Sequence, residues 1–170
     1  MALVTDTDLT GTATAQFSPC RTYRYVLTRT WGGGPPAVFV MLNPSTADAM
    51  ADDPTIRRCK QFARRSARGG LVVVNLFALR ATDPRELRKH RDPVGEDNDW
   101  CIREYCAPGA LIVAAWGAHG SLRGRDRAVA GLLRGVGADL RCLGTTAAGA
   151  PRHPLYVRGD APLVSYREAA

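Results

Sequence analysis

The stretch Val38-Phe39-Val40-Met41-Leu42-Asn43-Pro44-Ser45-Thr46-Ala47-Asp48 decides how the rest of the chain is read. Its apolar run is bounded upstream by Gly32-Gly33-Gly34-Pro35-Pro36 and downstream by Asn-Pro, which suits a buried parallel strand. Pro44 has no N–H to give to a ladder, so the strand stops where Asn43 projects. Ligands of open α/β sheets gather beyond the carboxyl ends of strands. Asn43 is therefore the first candidate for a site.

Upstream, residues 1–19 are rich in Thr and Ala without apolar periodicity, and read as a mobile lead-in ahead of a single domain at 20–170. Arg21 to Trp31 alternates, with Tyr23, Tyr25 and Leu27 on one face and Arg24, Val26 and Thr28 on the other. That is the pattern of an antiparallel or edge strand. Downstream, Asp53 is placed to cap a helix with Pro54 at its first position. The helix is expected to run to Arg68 with Ile56, Cys59, Phe62 and Ala63 inward, and Gly69-Gly70 ends it.

Leu71-Val72-Val73-Val74-Asn75 repeats the opening theme, a buried strand that stops at an asparagine. Helical patterns follow at 84–90 and 95–106. Ala110 to Gly117 is a third buried strand, Ser121 to Arg134 an amphipathic helix, and Asp139 to Leu143 a fourth strand. A flexible loop at 144–152 precedes a short ordered segment, His153 to Val157. Strands separated by helices predict right-handed crossovers and an α/β three-layer α/β/α sandwich. Its centre would be a mostly parallel four-stranded sheet, with an N-terminal edge strand added.

Composition sets the outer limits. The 170 residues carry 23 basic and 16 acidic side chains, a net charge of +7. Lys60 and Lys89 are the only lysines, which leaves 21 arginines. Arginine forks suit phosphate, but the same excess arises from a GC-rich genome with the charges solvated. The charge permits nucleic acid as a partner without requiring it. Five cysteines, Cys20, Cys59, Cys101, Cys106 and Cys142, form no C-x-x-C pair and read as reduced thiols rather than a metal cage. No apolar run reaches the ~20 residues that span a bilayer. No signal peptide is recognised, so a cytoplasmic, monomeric protein with no membrane and no obligate protein partner is expected.

The chemistry-bearing residues converge. Asn43, Asn75, the Trp116-Gly117-Ala118-His119 turn and the Gly144–His153 loop would share one rim of the sheet. An asparagine amide presents donor and acceptor together, which matches the N–H/C=O edge of a nucleobase; either asparagine could equally cap its own turn. Ser45 and Thr46 could cap the turn or bind phosphate. His153 suits an acid or an anion stabiliser. Asp48, Asp52 and Asp53 are caps, or one of them orients water as a base.

With these motifs placed, the chain resembles the uracil-DNA glycosylase superfamily, and looks closest to an uncharacterised bacterial family of unknown function with that fold. Four segments within residues 37–157 carry the resemblance. VFVMLNPS (38–45) looks like the motif holding the water-positioning residue, LVVVNLFALRATDP (71–84) like the strand whose asparagine reads uracil, LIVAAWGAHG (111–120) like the strand ending in Trp-Gly, and APRHPLYV (150–157) like the late His-Pro motif.

The resemblance implies that Asn43 positions the attacking water and that His153 stabilises negative charge on the departing base; Asp48 or Asp53 would assist as the carboxylate that Asn43 is not. Asn75, Pro44, Ser45 and Phe77 would hold the base. Thr46, Trp116, Gly117, His119, Arg152, Leu155 and Tyr156 would meet the nucleic-acid backbone. It further implies DNA, single- or double-stranded, as the partner, and no cofactor or metal. The function expected is a DNA base-excision N-glycosylase acting on uracil or a related lesion. The chain lacks the Ser-Pro-Leu stretch that wedges into duplex DNA, so an N-glycosidase on free nucleosides or nucleotides is the alternative. A non-catalytic nucleotide or nucleic-acid binder is the third.

Overall fold

The computed structural model describes residues 3–46 and 49–167. Eight strands form one sheet: β1 (Val4–Thr7), β2 (Ala13–Phe17), β3 (Arg24–Thr30), β4 (Pro36–Met41), β5 (Gly70–Asn75), β6 (Leu111–Ala114), β7 (Leu140–Cys142) and β8 (Val164–Ser165). Their spatial order is β1-β2-β3-β5-β4-β6-β7-β8. The pairs β5/β4, β4/β6 and β6/β7 are parallel; β1/β2, β2/β3, β3/β5 and β7/β8 are antiparallel.

This overturns the expected fold class. In place of a mostly parallel four-stranded sheet in a three-layer sandwich, the sheet is eight-stranded and mixed, and antiparallel pairs outnumber parallel ones. Helices are few: α1 (Pro54–Arg65), α2 (Arg85–Lys89), α3 (Asn98–Tyr105) and α4 (Arg125–Gly135), with 3-10 turns at Ala118–Gly124 and Pro154–Tyr156. The reason lies in the added strands. β1 and β2 sit within the segment expected as a lead-in, and β8 has two residues. Such strands carry no apolar run. They join because a neighbour's open N–H and C=O groups take them in, which composition alone does not reveal.

β3 is antiparallel to β5, as its alternation suggested, but β2 covers its other side, so it is not an edge. Arg24 and Arg29 are buried as a result, at 7% and 5% exposure. Arg29 is neutralised there: its Nε lies 2.8 Å from Asp52, and its other nitrogens donate to the Thr28 and Ala49 carbonyls.

The core explains the uninterrupted apolar runs of β4, β5 and β6. On one face Val38, Val40, Val72, Val74, Ile112 and Ala114 pack with Ile102 of α3 and Val129 and Leu133 of α4. On the other, Phe39, Met41, Leu71, Val73 and Val113 pack with Ile56, Cys59, Phe62 and Ala63 of α1. Burial on both faces removes the polar alternation. Ile56 and Phe62 each contribute about 1.5–3 kcal/mol of transfer free energy. The cap of α1 follows the sequence reading, with the Ile56 N–H donating to Asp53 at 2.7 Å.

α1 stops at Arg65, three residues earlier than expected, because Ala67 takes a positive φ and the chain turns at Ser66. Gly69 then passes so close to Gly34 that a Cβ would lie 2.4 Å from the Gly34 nitrogen. That contact is why glycines flank both β4 and β5. Among the described residues no helix is long and apolar enough to cross a membrane, and no group of His, Cys, Asp or Glu is arranged to hold a metal ion.

Candidate active site

The carboxyl ends of β5, β4 and β6 open into a cleft of about 510 Å³. Met41, Val73 and Asn75 form its floor from the strands. Asn43, Pro44 and Ser45 close one wall, the start of α1 (Asp53, Thr55, Ile56) another, and Trp116 to His119 with Arg152, His153 and Tyr156 the third.

Each element arrives for a local reason. Beyond β4 and β5 the pairing continues, with the Leu76 and Phe77 N–H groups donating to the Met41 and Leu42 carbonyls at 2.9 Å. Pro44 then ends the ladder. Asn43 Nδ2 donates to the Ala81 carbonyl at 2.7 Å and to its neighbour Pro44 at 3.1 Å, and the Ala81 N–H returns to the Pro44 carbonyl at 2.9 Å. The donor half of the Asn43 amide therefore holds the turn. Its oxygen accepts nothing from the described residues.

Asn75 differs. Its main chain is fixed from the α3 side, where Asn98 Nδ2 donates to the Asn75 and Leu76 carbonyls at 3.0 and 3.1 Å and Arg125 Nε donates to Leu76 at 2.7 Å. Its side chain falls on the opposite face, beside Val73, in the cleft. Asn75 is 3% exposed, yet its side-chain amide has no hydrogen-bond partner among the described residues. The amide of Asn75 opens at the bottom of the cleft with both its donor and acceptor unused by the described residues.

Gly117 takes a φ of +73° and its N–H donates to the Pro151 carbonyl at 2.9 Å, bringing the 151–153 loop against the end of β6. A Cβ there would lie 3.7 Å from the Cβ of His153. The Leu155 N–H donates to His153 Nδ1 at 3.3 Å, which leaves Nε2 to carry the proton of the neutral ring. Burial pushes the His153 pKa below its ordinary value, with the Asp53 charge pulling the other way. The imidazole is thus a neutral donor at neutral pH.

The cleft brings together most of the residues singled out from sequence: Asn43, Pro44, Ser45, Asp53, Asn75, Trp116, Gly117, His119, Arg152, His153 and Tyr156. Phe77 does not line it; it is fully buried in the core on the α3 and α4 face. Thr46 pairs with the Thr82 hydroxyl at 2.7 Å outside the cleft, and Leu155 stands outside at 43% exposure. Asp48 lies outside the described residues. Asp52 turns away to Arg29 and Lys60.

Among the lining residues not singled out from sequence, Arg24 is the charged one. Arg24, at the start of β3, enters the cleft because β2 and β5 enclose that strand. The sequence offers no signal for it, since Arg24 shares its face with Val26 and Thr28 and reads as solvated on an edge strand. Burial lowers its pKa to about 10, Arg80 adds to the effect, and Asp53 opposes it.

The family model of a protein of unknown function, DUF1643, matches residues 24–155. The chain belongs to that family. The matched span runs from Arg24 to Leu155 and so takes in every strand that meets the cleft. No curated protein and no solved structure matches the chain.

Proposed function

We propose that this family member hydrolyses the N-glycosidic bond of uracil or a related deaminated or damaged base in DNA, as its resemblance to uracil-DNA glycosylases implies. The observation that carries the reading is the amide of Asn75, which opens into the same cleft as Asp53 and His153 with no hydrogen-bond partner among the described residues. Breaking the bond develops an oxocarbenium-like sugar and an anionic base. Asn75 would read the N–H/C=O edge of an extruded base. The neutral Nε2–H of His153 would stabilise charge on that base without giving up its proton. Asp53 offers a carboxylate to the attacking water, and the unpartnered oxygen of Asn43 would help to orient it.

A base-release assay on single- and double-stranded DNA containing uracil, hypoxanthine or xanthine tests this. Abasic sites are expected on at least one substrate, and their absence on all sinks the proposal. Asp53→Asn sharpens the test, because asparagine caps a helix as well as aspartate does but cannot take a proton. That variant should melt within about 1 kcal/mol of the parent and lose base release by a factor of about 100 or more.

Leu155, expected at the nucleic-acid backbone, is more than half covered and lies outside the cleft. That favours a second reading, action on free nucleosides or nucleotides. Turnover on DNA should fall steeply with added salt, whereas turnover on a free nucleoside should scarcely respond.

A further inference from the structure

Arg24 plays no part in the glycosidic reading, yet it is the most unusual charge in the cleft. It is 7% exposed, and its Nε is sealed without an acceptor. Among the described residues its guanidinium has neither a hydrogen-bond partner nor an ion pair. Its neighbours do not compensate it. Arg29 already holds Asp52 at 2.8 Å, and Arg80 adds positive charge. Asp53 attracts it through space, but that carboxylate caps the Ile56 N–H at 2.7 Å and forms no ion pair with Arg24.

A buried guanidinium left this way is unfavourable unless a ligand supplies the missing anion. The planar fork matches two oxygens of a phosphate. Thr55, in the first turn of the 12-residue α1, lines the adjoining wall, where a helix's amino end favours negative charge.

We propose that Arg24 and the start of α1 form a phosphate subsite inside the cleft, filled by the monophosphate of a free nucleotide or by a phosphodiester of a DNA strand. The subsite needs no bond to be cleaved, so it stands or falls separately from the glycosidase reading.

The test is thermal melting and titration of the full chain with inorganic phosphate, deoxyuridine, deoxyuridine monophosphate and a five-residue thymidine strand. Parent, Arg24→Met and Arg24→Lys proteins are compared. In the parent, phosphate should raise the melting temperature, and a phosphate-bearing ligand should bind about 10- to 100-fold more tightly than deoxyuridine. Arg24→Met should melt higher without ligand, having lost an uncompensated charge, and should show no such difference; Arg24→Lys should restore part of it. A gain with the monophosphate assigns the phosphate to a free nucleotide, and a gain confined to the strand assigns it to DNA. An Arg24-dependent phosphate response without any nucleoside binding would keep the subsite and count against base recognition. Equal binding of the nucleoside, the nucleotide and the strand by the parent, or an undiminished phosphate response in Arg24→Met, would overturn the proposal.

Discussion

Asn75 and Asn98 are two buried asparagines with opposite expected responses to the same substitution. Asn98 is fully buried, and its Nδ2 donates to two carbonyls, Asn75 at 3.0 Å and Leu76 at 3.1 Å. Asn98→Leu removes both donors from a site that water cannot enter. Each lost buried bond costs about 1–3 kcal/mol. Arg125 still serves Leu76, so the total should be about 2–4 kcal/mol. For a domain of this size, that lowers the melting temperature by about 5–12 °C. Asn75→Leu removes an amide with no protein partner, at nearly constant volume. Its stability should stay within about 1 kcal/mol of the parent, and a small gain is the expected sign. Urea unfolding of the two variants in parallel, with unchanged m-values, is the assay. A loss of more than about 2 kcal/mol in Asn75→Leu would mean that its amide is part of the scaffold, and the reading of the cleft floor would be refuted.

Three further perturbations follow from the geometry. Burial works against the Asp52 charge, but hydrogen bonds from Lys60 and Arg29 outweigh it and hold its pKa below the usual value; Asp52→Asn strands the buried Arg29 and should cost about 2–4 kcal/mol by denaturant unfolding at pH 7, a difference that fades as acid passes through the folded-state pKa. His153 titrates lower in the folded chain than in the unfolded one, so the stability tied to its neutral form is full above about pH 6.5 and is lost as pH falls below it. Protonation would also set two donors face to face at the Leu155 N–H, so His153→Asn should flatten that part of the stability profile. Gly120→Ala would place a Cβ 2.1 Å from the Trp116 ring, forcing the indole to shift at a cost of about 1–3 kcal/mol, visible as a change in tryptophan fluorescence.

The parts of the fold legible in the sequence were those that report their own environment. Val38 to Leu42 and Leu71 to Val74 could be read as doubly buried strands because nothing polar interrupts them. Asp53-Pro54 could be read as a helix start because capping chemistry is local. β1, β2 and β8 were not legible, since Thr- and Ala-rich segments become strands only when a neighbour offers a ladder. The same omission hid Arg24, which looks solvated on an edge strand and is buried once β2 is in place. In the site, residues ending strands were placed well, because strand ends converge wherever parallel strands pair. Phe77 was misplaced for the complementary reason: alternation would put it on the face of Asn75, but β5 ends at Asn75, the pleat lapses, and Phe77 falls into the core with Leu76.

Asn75 is proposed to read a base whose glycosidic bond is then cut. The most direct measurement is single-turnover base release from the substrate strand the parent cleaves fastest, comparing the parent with Asn75→Leu. Release by the parent is expected, with a loss of about 100-fold or more in a variant that is folded and equally stable. Release undiminished in Asn75→Leu, or no release by the parent from any strand offered, would contradict it.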